Sequence, residues 1–244
     1  MARIADSAVV LRRLDYSETS QIVVLFTRRH GKVRAIAKGI KRGTKRRFAT
    51  GIDLFDIGQV GLRARQDRPE NLAGVTEWTQ TQPLSGLREK LHRLWGAQYA
   101  VEVTGHLIAD WDPHAELYDA LVSVLVELSQ AEESLGPIMG YQRRLLEVIG
   151  SAPRLDACVK CSRAGDLTHF SSFEGGMICR RCEPSQVEKR EVSAPTLRAL
   201  CGKTPPASFV GPFRLLNYHI SHLMGREPLL AAKLLPAHLH HRAE

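Results

Sequence analysis

QIVVLFTRRHGKVRAIAK, residues 21–38, decides the fold. Its first seven residues are almost continuously apolar through Ile22, Val23, Val24, Leu25 and Phe26, as in a buried strand. Arg28-Arg29-His30-Gly31 then supplies a tight turn, with a glycine available for a positive φ. From Lys32 the pattern alternates: Val33, Ala35 and Ala37 face one way, and Lys32, Arg34, Ile36 and Lys38 the other. Upstream, Ser7–Leu14 reads as a strand closed by the turn Asp15-Tyr16-Ser17-Glu18. Downstream, Val60, Leu62 and Ala64 oppose Gln59, Gly61, Arg63 and Arg65, and Leu72–Trp78 makes a fifth strand. Five short strands with no helix between them predict a small barrel and disfavour a parallel βαβ unit.

The pattern changes at Gln82-Pro83. Leu84, Leu87, Leu91, Leu94/Trp95, Gln98, Val101 and Leu107/Ile108 recur at helical spacing. Leu117, Leu121, Val124/Leu125 and Leu128 form a second stripe, and Ile138, Tyr141, Leu145 and Val148/Ile149 a third, stopped at Gly150. A fourth, Phe213, Leu216, Ile220 and Leu223, is entered through Gly211-Pro212. The expected organisation is α+β and multidomain: a barrel over residues 1–80, then a helical domain over 81–244 interrupted by a cysteine-rich insertion at 155–183.

That insertion holds two C-x-x-C pairs, Cys158/Cys161 and Cys179/Cys182, with 17 residues between them. Two intervening residues let one turn aim both sulfurs at one ion, and two such turns complete a tetrahedron. The spacing predicts one structural Zn2+, because four thiolates leave no coordination position for substrate. A redox dithiol needs only one pair, in a βαβ context the sequence lacks. Lys160, Arg163, Arg180 and Arg181 either offset the anionic centre or face a phosphate. The fifth cysteine, Cys201, reads as a small buried hydrophobe beside Leu197 and Leu200.

The formal net charge of +8 is concentrated. Ten of the 34 Lys and Arg, and none of the 26 Asp and Glu, lie between residues 28 and 47, so the rest of the chain is slightly acidic. A single-signed segment of this kind addresses a polyanion. Lys32, Arg34 and Lys38 on the strand and Lys41, Arg42, Lys45, Arg46 and Arg47 in the following loop are the candidate nucleic-acid contacts, with Phe48 and Tyr16 as possible stacking platforms. No P-loop, G-x-G-x-x-G after a strand or G-x-S-x-G is present, so nucleotide hydrolysis and acyl transfer lack their residues. His219 and His222, and the tail His238, His240 and His241, lack the Glu of an H-E-x-x-H metal motif and read as surface or satisfied histidines. No apolar run reaches the ~18–20 residues of a membrane helix, and the start lacks a signal-peptide core, so the chain reads as cytoplasmic.

Taken in order, several motifs resemble the RecO family of bacterial recombination mediators, over nearly the full length. They are Glu18, Leu25-Phe26-Thr27, Gly31-Lys32, Ala37-Lys38-Gly39, the basic loop through Arg47-Phe48, Leu54-Phe55, Tyr141 through Gly150, both cysteine pairs, Phe170-Ser171, Gly175-Gly176, Phe213-Arg214 and His222-Leu223-Met224-Gly225-Arg226. The resemblance implies an N-terminal OB-fold, then an all-helical domain with a zinc-binding insertion. It implies binding of single- and double-stranded DNA without sequence preference, annealing of complementary strands, and no covalent catalysis. It implies RecR and the acidic tail of single-stranded-DNA-binding protein as partners, indirect action on RecA, and a place at the nucleoid. Arg143 and Arg144 are the candidate rim for that tail. Composition leaves two other classes open. One is an RNA-binding or transcription-associated OB/zinc-ribbon adaptor, separable by DNA–RNA competition. The other is a thiol redox enzyme, separable by thiol titration with and without a chelator.

Overall fold

The computed structural model describes residues 2–40, 51–64, 71–202 and 207–236. By contacts, the chain forms two units, residues 1–132 and 133–244.

In the first unit, β1 (Ala2–Asp15), β2 (Gln21–Thr27), β3 (Gly31–Ala37), β4 (Ile57–Ala64) and β5 (Ala73–Gln82) close a barrel in the order β1-β2-β3-β5-β4. This is the five-stranded OB-fold expected from the sequence. All pairings are antiparallel except the closing one, β3 with β5, where Ala35 meets Ala73 and Ile36 meets Gly74. The alternation read from β3 is the burial observed: Val33, Ala35 and Ala37 enter the core with Val10, Leu25, Leu62 and Trp78. A register shift between Val10 and Arg12 bends β1, the longest strand, so that it pairs with both β2 and β4. The turn before β3 requires glycine twice over. Gly31 has φ +71°, and a Cβ there would lie 2.1 Å from the Asp112 carbonyl oxygen.

β5 runs four residues beyond the expected Trp78, and a short 3-10 turn, Ser85–Arg88, leads into α1 (Leu91–Leu107) and α2 (Ala115–Gln130). Leu117, Leu121, Val124, Leu125 and Leu128 of α2 are buried as their spacing predicts. The stripe expected along α1 is displaced. Leu91 is 64% exposed, and the buried face runs through Arg93, Ala97, Ala100, Val101 and Thr104. The reason is Arg93, whose guanidinium donates to the carbonyls of Ser129 and Ala131 at 2.9 and 2.8 Å and to Gln130 at 3.3 Å. It thereby satisfies carbonyls that the C-terminus of α2 leaves without helical partners. Apolar spacing does not register such a buried cation.

The second unit contains α3 (Leu135–Val148), a small sheet of β6 (Leu167–Ser171), β7 (Gly176–Cys179) and β8 (Arg190–Glu191) in the order β7-β6-β8, α4 (Ala194–Leu200) and α5 (Val210–Met224). α3 and α5 pack together through stripes that include Ile138, Tyr141, Leu145, Phe213, Leu216 and Ile220. α5 carries Pro212 in its first turn, where the missing N–H costs nothing, and stops at Gly225 in the left-handed region. Leu223, expected on the buried stripe, is 41% exposed because the buried face passes from Ile220 to Met224, one full turn on. No described helix is long and apolar enough to cross a membrane.

Candidate functional site

The β6–β7 hairpin carries Cys179 at its end, and the turn after it brings Cys182 back, with the Cys182 N–H donating to the Cys179 carbonyl at 3.0 Å. The other pair closes its own turn: Ser162, in the left-handed region, donates its N–H to the Cys158 carbonyl at 2.8 Å. The Val159 N–H donates to the Met177 carbonyl on β7 at 2.9 Å, pinning one turn against the other. The four Sγ atoms consequently lie within 4.8 Å of one another, and among the described residues this is the cluster able to hold a metal.

The geometry fits a tetrahedral thiolate centre. A regular tetrahedron with Zn–S of ~2.3 Å has edges of ~3.8 Å, and the Cys161 and Cys179 sulfurs are 3.7 Å apart. All four are free thiols rather than disulfides. Burial pushes the Cys158 thiol up, but the backbone N–H groups of Cys179, Cys161 and Lys160 outweigh it and bring it down to about 6. Crowding by the other sulfurs, Cys161 foremost, pushes Cys182 up to about 12. A central cation would favour the thiolate form of all four cysteines. Of the flanking cations, Lys160 pairs with Glu174 at 2.5 Å and Arg180 with Asp166 at 3.7 Å. Cys201 lies outside the cluster, half-buried, 3.8 Å from the Leu155 carbonyl oxygen.

The basic segment divides. Arg28 makes a double hydrogen bond to Asp119 at 2.9 and 2.8 Å, and Arg29 pairs with the buried Asp6. Lys32 is 14% exposed at its side chain, donating to the Gly105 carbonyl at 2.7 Å and lying 3.3 Å from Asp110. Arg34 reaches the other oxygen of Asp110 at 2.9 Å and stays half-exposed. Lys32 and Arg34 therefore share one internal carboxylate. Lys38 instead lies exposed at a groove of about 800 Å3 on the barrel wall. Ile4, Ile36, Leu62 and Val75 line it, and Arg3 and Arg63 share its rim with Glu77. Lys41, Arg42, Lys45, Arg46, Arg47 and Phe48 lie outside the described residues, as do His238, His240 and His241.

Arg3 and Arg63 are the groove's basic residues that alternation alone does not single out. They stand directly opposite each other on β1 and β4. The alternation placed Arg63 on the outward face, but nothing local announces its pairing with Arg3. Elsewhere, Arg143 is exposed on α3 and Arg144 lies 3.4 Å from Glu147 on the same helix. His219 is buried, its ring nitrogens 2.7 Å from Ser172 Oγ and 2.9 Å from the Ser151 carbonyl oxygen, and burial foremost lowers its pKa. It is a satisfied core histidine, as expected. Tyr16 is exposed on the β1–β2 turn.

An OB-fold barrel joined to a helical region with a four-cysteine centre defines the class of protein. The family model "Recombination protein O N terminal" matches residues 1–83, and "Recombination protein O C terminal" matches residues 88–201. A DNA repair protein RecO of Anaeromyxobacter dehalogenans is 34% identical over 202 residues, covering 82% of this chain and 78% of the relative. That of Myxococcus xanthus is 32% identical over 240 residues, covering 93% and 94%, and that of Rhodopirellula baltica is 32% identical over 198 residues, covering 79% and 72%. The chain belongs to the RecO family, and with it to the proteins of DNA repair and recombination.

Proposed function

We propose that the protein binds single- and double-stranded DNA by its phosphates, anneals complementary strands and helps load the recombinase onto protein-coated single strands, without covalent catalysis. The observation that carries this reading is the Arg3–Arg63 cross-strand pair with Lys38 at the same groove. Like charges directly opposite on a sheet repel, and a polyanion bound across them turns that repulsion into attraction. Phosphates neutralised there release counterions, which drives binding irrespective of sequence. Lys41, Arg42, Lys45, Arg46 and Arg47 follow Lys38 in the sequence and carry the same sign of charge. Two strands held on one basic surface repel each other less, so pairing accelerates. The protein supplies proximity and the bases supply specificity.

Cys158, Cys161, Cys179 and Cys182 hold one Zn2+ in this reading, whose role is to fold the insertion. The partners are RecR, the acidic tail of single-stranded-DNA-binding protein with Arg143 and Arg144 at its rim, and indirectly RecA. The location is the nucleoid.

The test is annealing of two complementary strands already coated with single-stranded-DNA-binding protein. Acceleration is expected, since a generic polycation does not work through the coat. DNA binding without acceleration would replace the mediator by a nucleic-acid adaptor and bring competition with RNA to the front.

A further inference from the structure

In the second unit, a carboxylate organises aromatic side chains around a surface groove far in sequence from the basic segment. Glu188 accepts from the Ser171 hydroxyl at 2.5 Å, from the Ser172 and Phe173 N–H groups at 3.2 and 3.1 Å, and from the Tyr218 hydroxyl. One side chain therefore fixes both the turn that presents Phe173 and the ring of Tyr218 on α5. His222, one helical turn on, stands edge-on to both rings, with centroids 4.5 Å from Tyr218 and 5.7 Å from Phe173. Arg190 lies over the Tyr218 ring at 4.5 Å. Phe173 is nevertheless 81% exposed. An exposed phenyl on a turn so firmly hydrogen-bonded is a presented surface, and its ordering cost is already met in the free protein. The groove beside it, about 490 Å3, is within the range of small-ligand sites. Arg190 and Arg226 stand at its edge, and so does Glu227, which accepts from the Asn217 amide at 3.4 Å.

We propose that Phe173, Tyr218 and His222, edged by Arg190 and Arg226, form a stacking site for one unpaired base of a single-stranded nucleic acid and its adjoining phosphate. The side-chain types decide the occupant. Aromatic faces and a guanidinium plane accept any base by stacking. The two arginines suit a phosphate, while Glu227 can accept from a base N–H, such as thymine N3–H, and discourages a longer polyanionic track. A duplex is a poor occupant, because its bases are already stacked and their edges are turned inward. The choice of ligand rests on the DNA reading above, but the site uses other residues in the other unit.

The experiment measures binding of the full chain to an oligothymidylate and to a hairpin duplex of equal charge. Phe173→Ala is suitable because the side chain is exposed and its loss leaves the Glu188 bonds in place. Single-strand affinity should fall about tenfold with duplex affinity unchanged, and Phe173→Trp should restore it. A Lys38→Glu/Arg63→Glu chain should lose affinity for both probes. Unchanged single-strand binding in Phe173→Ala, or equal loss for both probes, overturns the stacking site while leaving the DNA reading intact. A wild-type chain that binds neither probe removes the DNA reading, and this proposal with it.

Discussion

The barrel keeps its shape through apolar side chains meeting at register positions along five strands, whereas the cysteine hairpin depends on four sulfurs gathered within 4.8 Å. The first arrangement needs no ligand. Its core runs from Ala8 to Trp78, and the short β3–β5 pairing closes the barrel around it. The second has strands of five, four and two residues, too short to stand alone, and beside them four thiols placed where one cation could hold them together. Chain length within each element decides which solution is open: a long strand buries enough side chains to hold itself, and a short hairpin does not.

The largest effect of a single substitution lies at the sulfurs. Cys158→Ser should release the metal and unfold the hairpin, since structural zinc in small domains is worth roughly 10–16 kcal/mol. Metal analysis and amide exchange check this: protection should vanish around residues 155–183 and persist in β1–β5. Unchanged metal content and melting would refute the structural role of the ion. Trp78→Ala attacks the other side. Trp78 is 1% exposed in the barrel core, and its removal should cost about 3–5 kcal/mol with metal content unaltered.

A smaller effect sharpens the contrast by pH. Burial opposes the charge on Asp6, but His30 foremost, then the Arg29 and Ser7 N–H groups, hold its carboxyl below the usual range. A lowered carboxylate pKa stabilises the fold above its unfolded value near ~3.9, and that stability is lost as pH falls through the folded pKa. Asp6→Asn should therefore cost about 1–3 kcal/mol at neutral pH. It should also flatten the acid limb of the denaturation curve; an unaltered limb would show that Asp6 does not govern it. The mildest change is Arg3→Ala/Lys38→Ala/Arg63→Ala, which lies on the surface and should leave melting nearly unchanged. The slope of log affinity against log salt should flatten by roughly 2–3 units, and an unchanged slope would remove the groove from the DNA interface.

Legibility in the sequence differed in the same way. The strands were readable because alternation is a local consequence of the pleat, and Gln21–Thr27 emerges with the bounds its pattern implies. The four-cysteine cluster was readable because C-x-x-C geometry is closed within each turn. α1 was misread at Leu91 because Arg93 is buried by carbonyls that lie some 36–38 residues downstream. Lys32 and Arg34 counted toward the basic segment in the sequence, and the fold brings Asp110 to both.

By itself, then, the sequence determined the five strands, their inward faces, the pairing of the four cysteines into one cluster and the concentration of positive charge. Each of these follows from spacing within one element or turn. The tertiary structure alone decided which charges point outward and together. The β1–β4 register sets Arg3 against Arg63, Asp110 draws Lys32 inward, and Glu188 ties Phe173 to Tyr218 across 45 residues. Such pairings depend on strand register and on loop closure between distant segments, and no local periodicity encodes them.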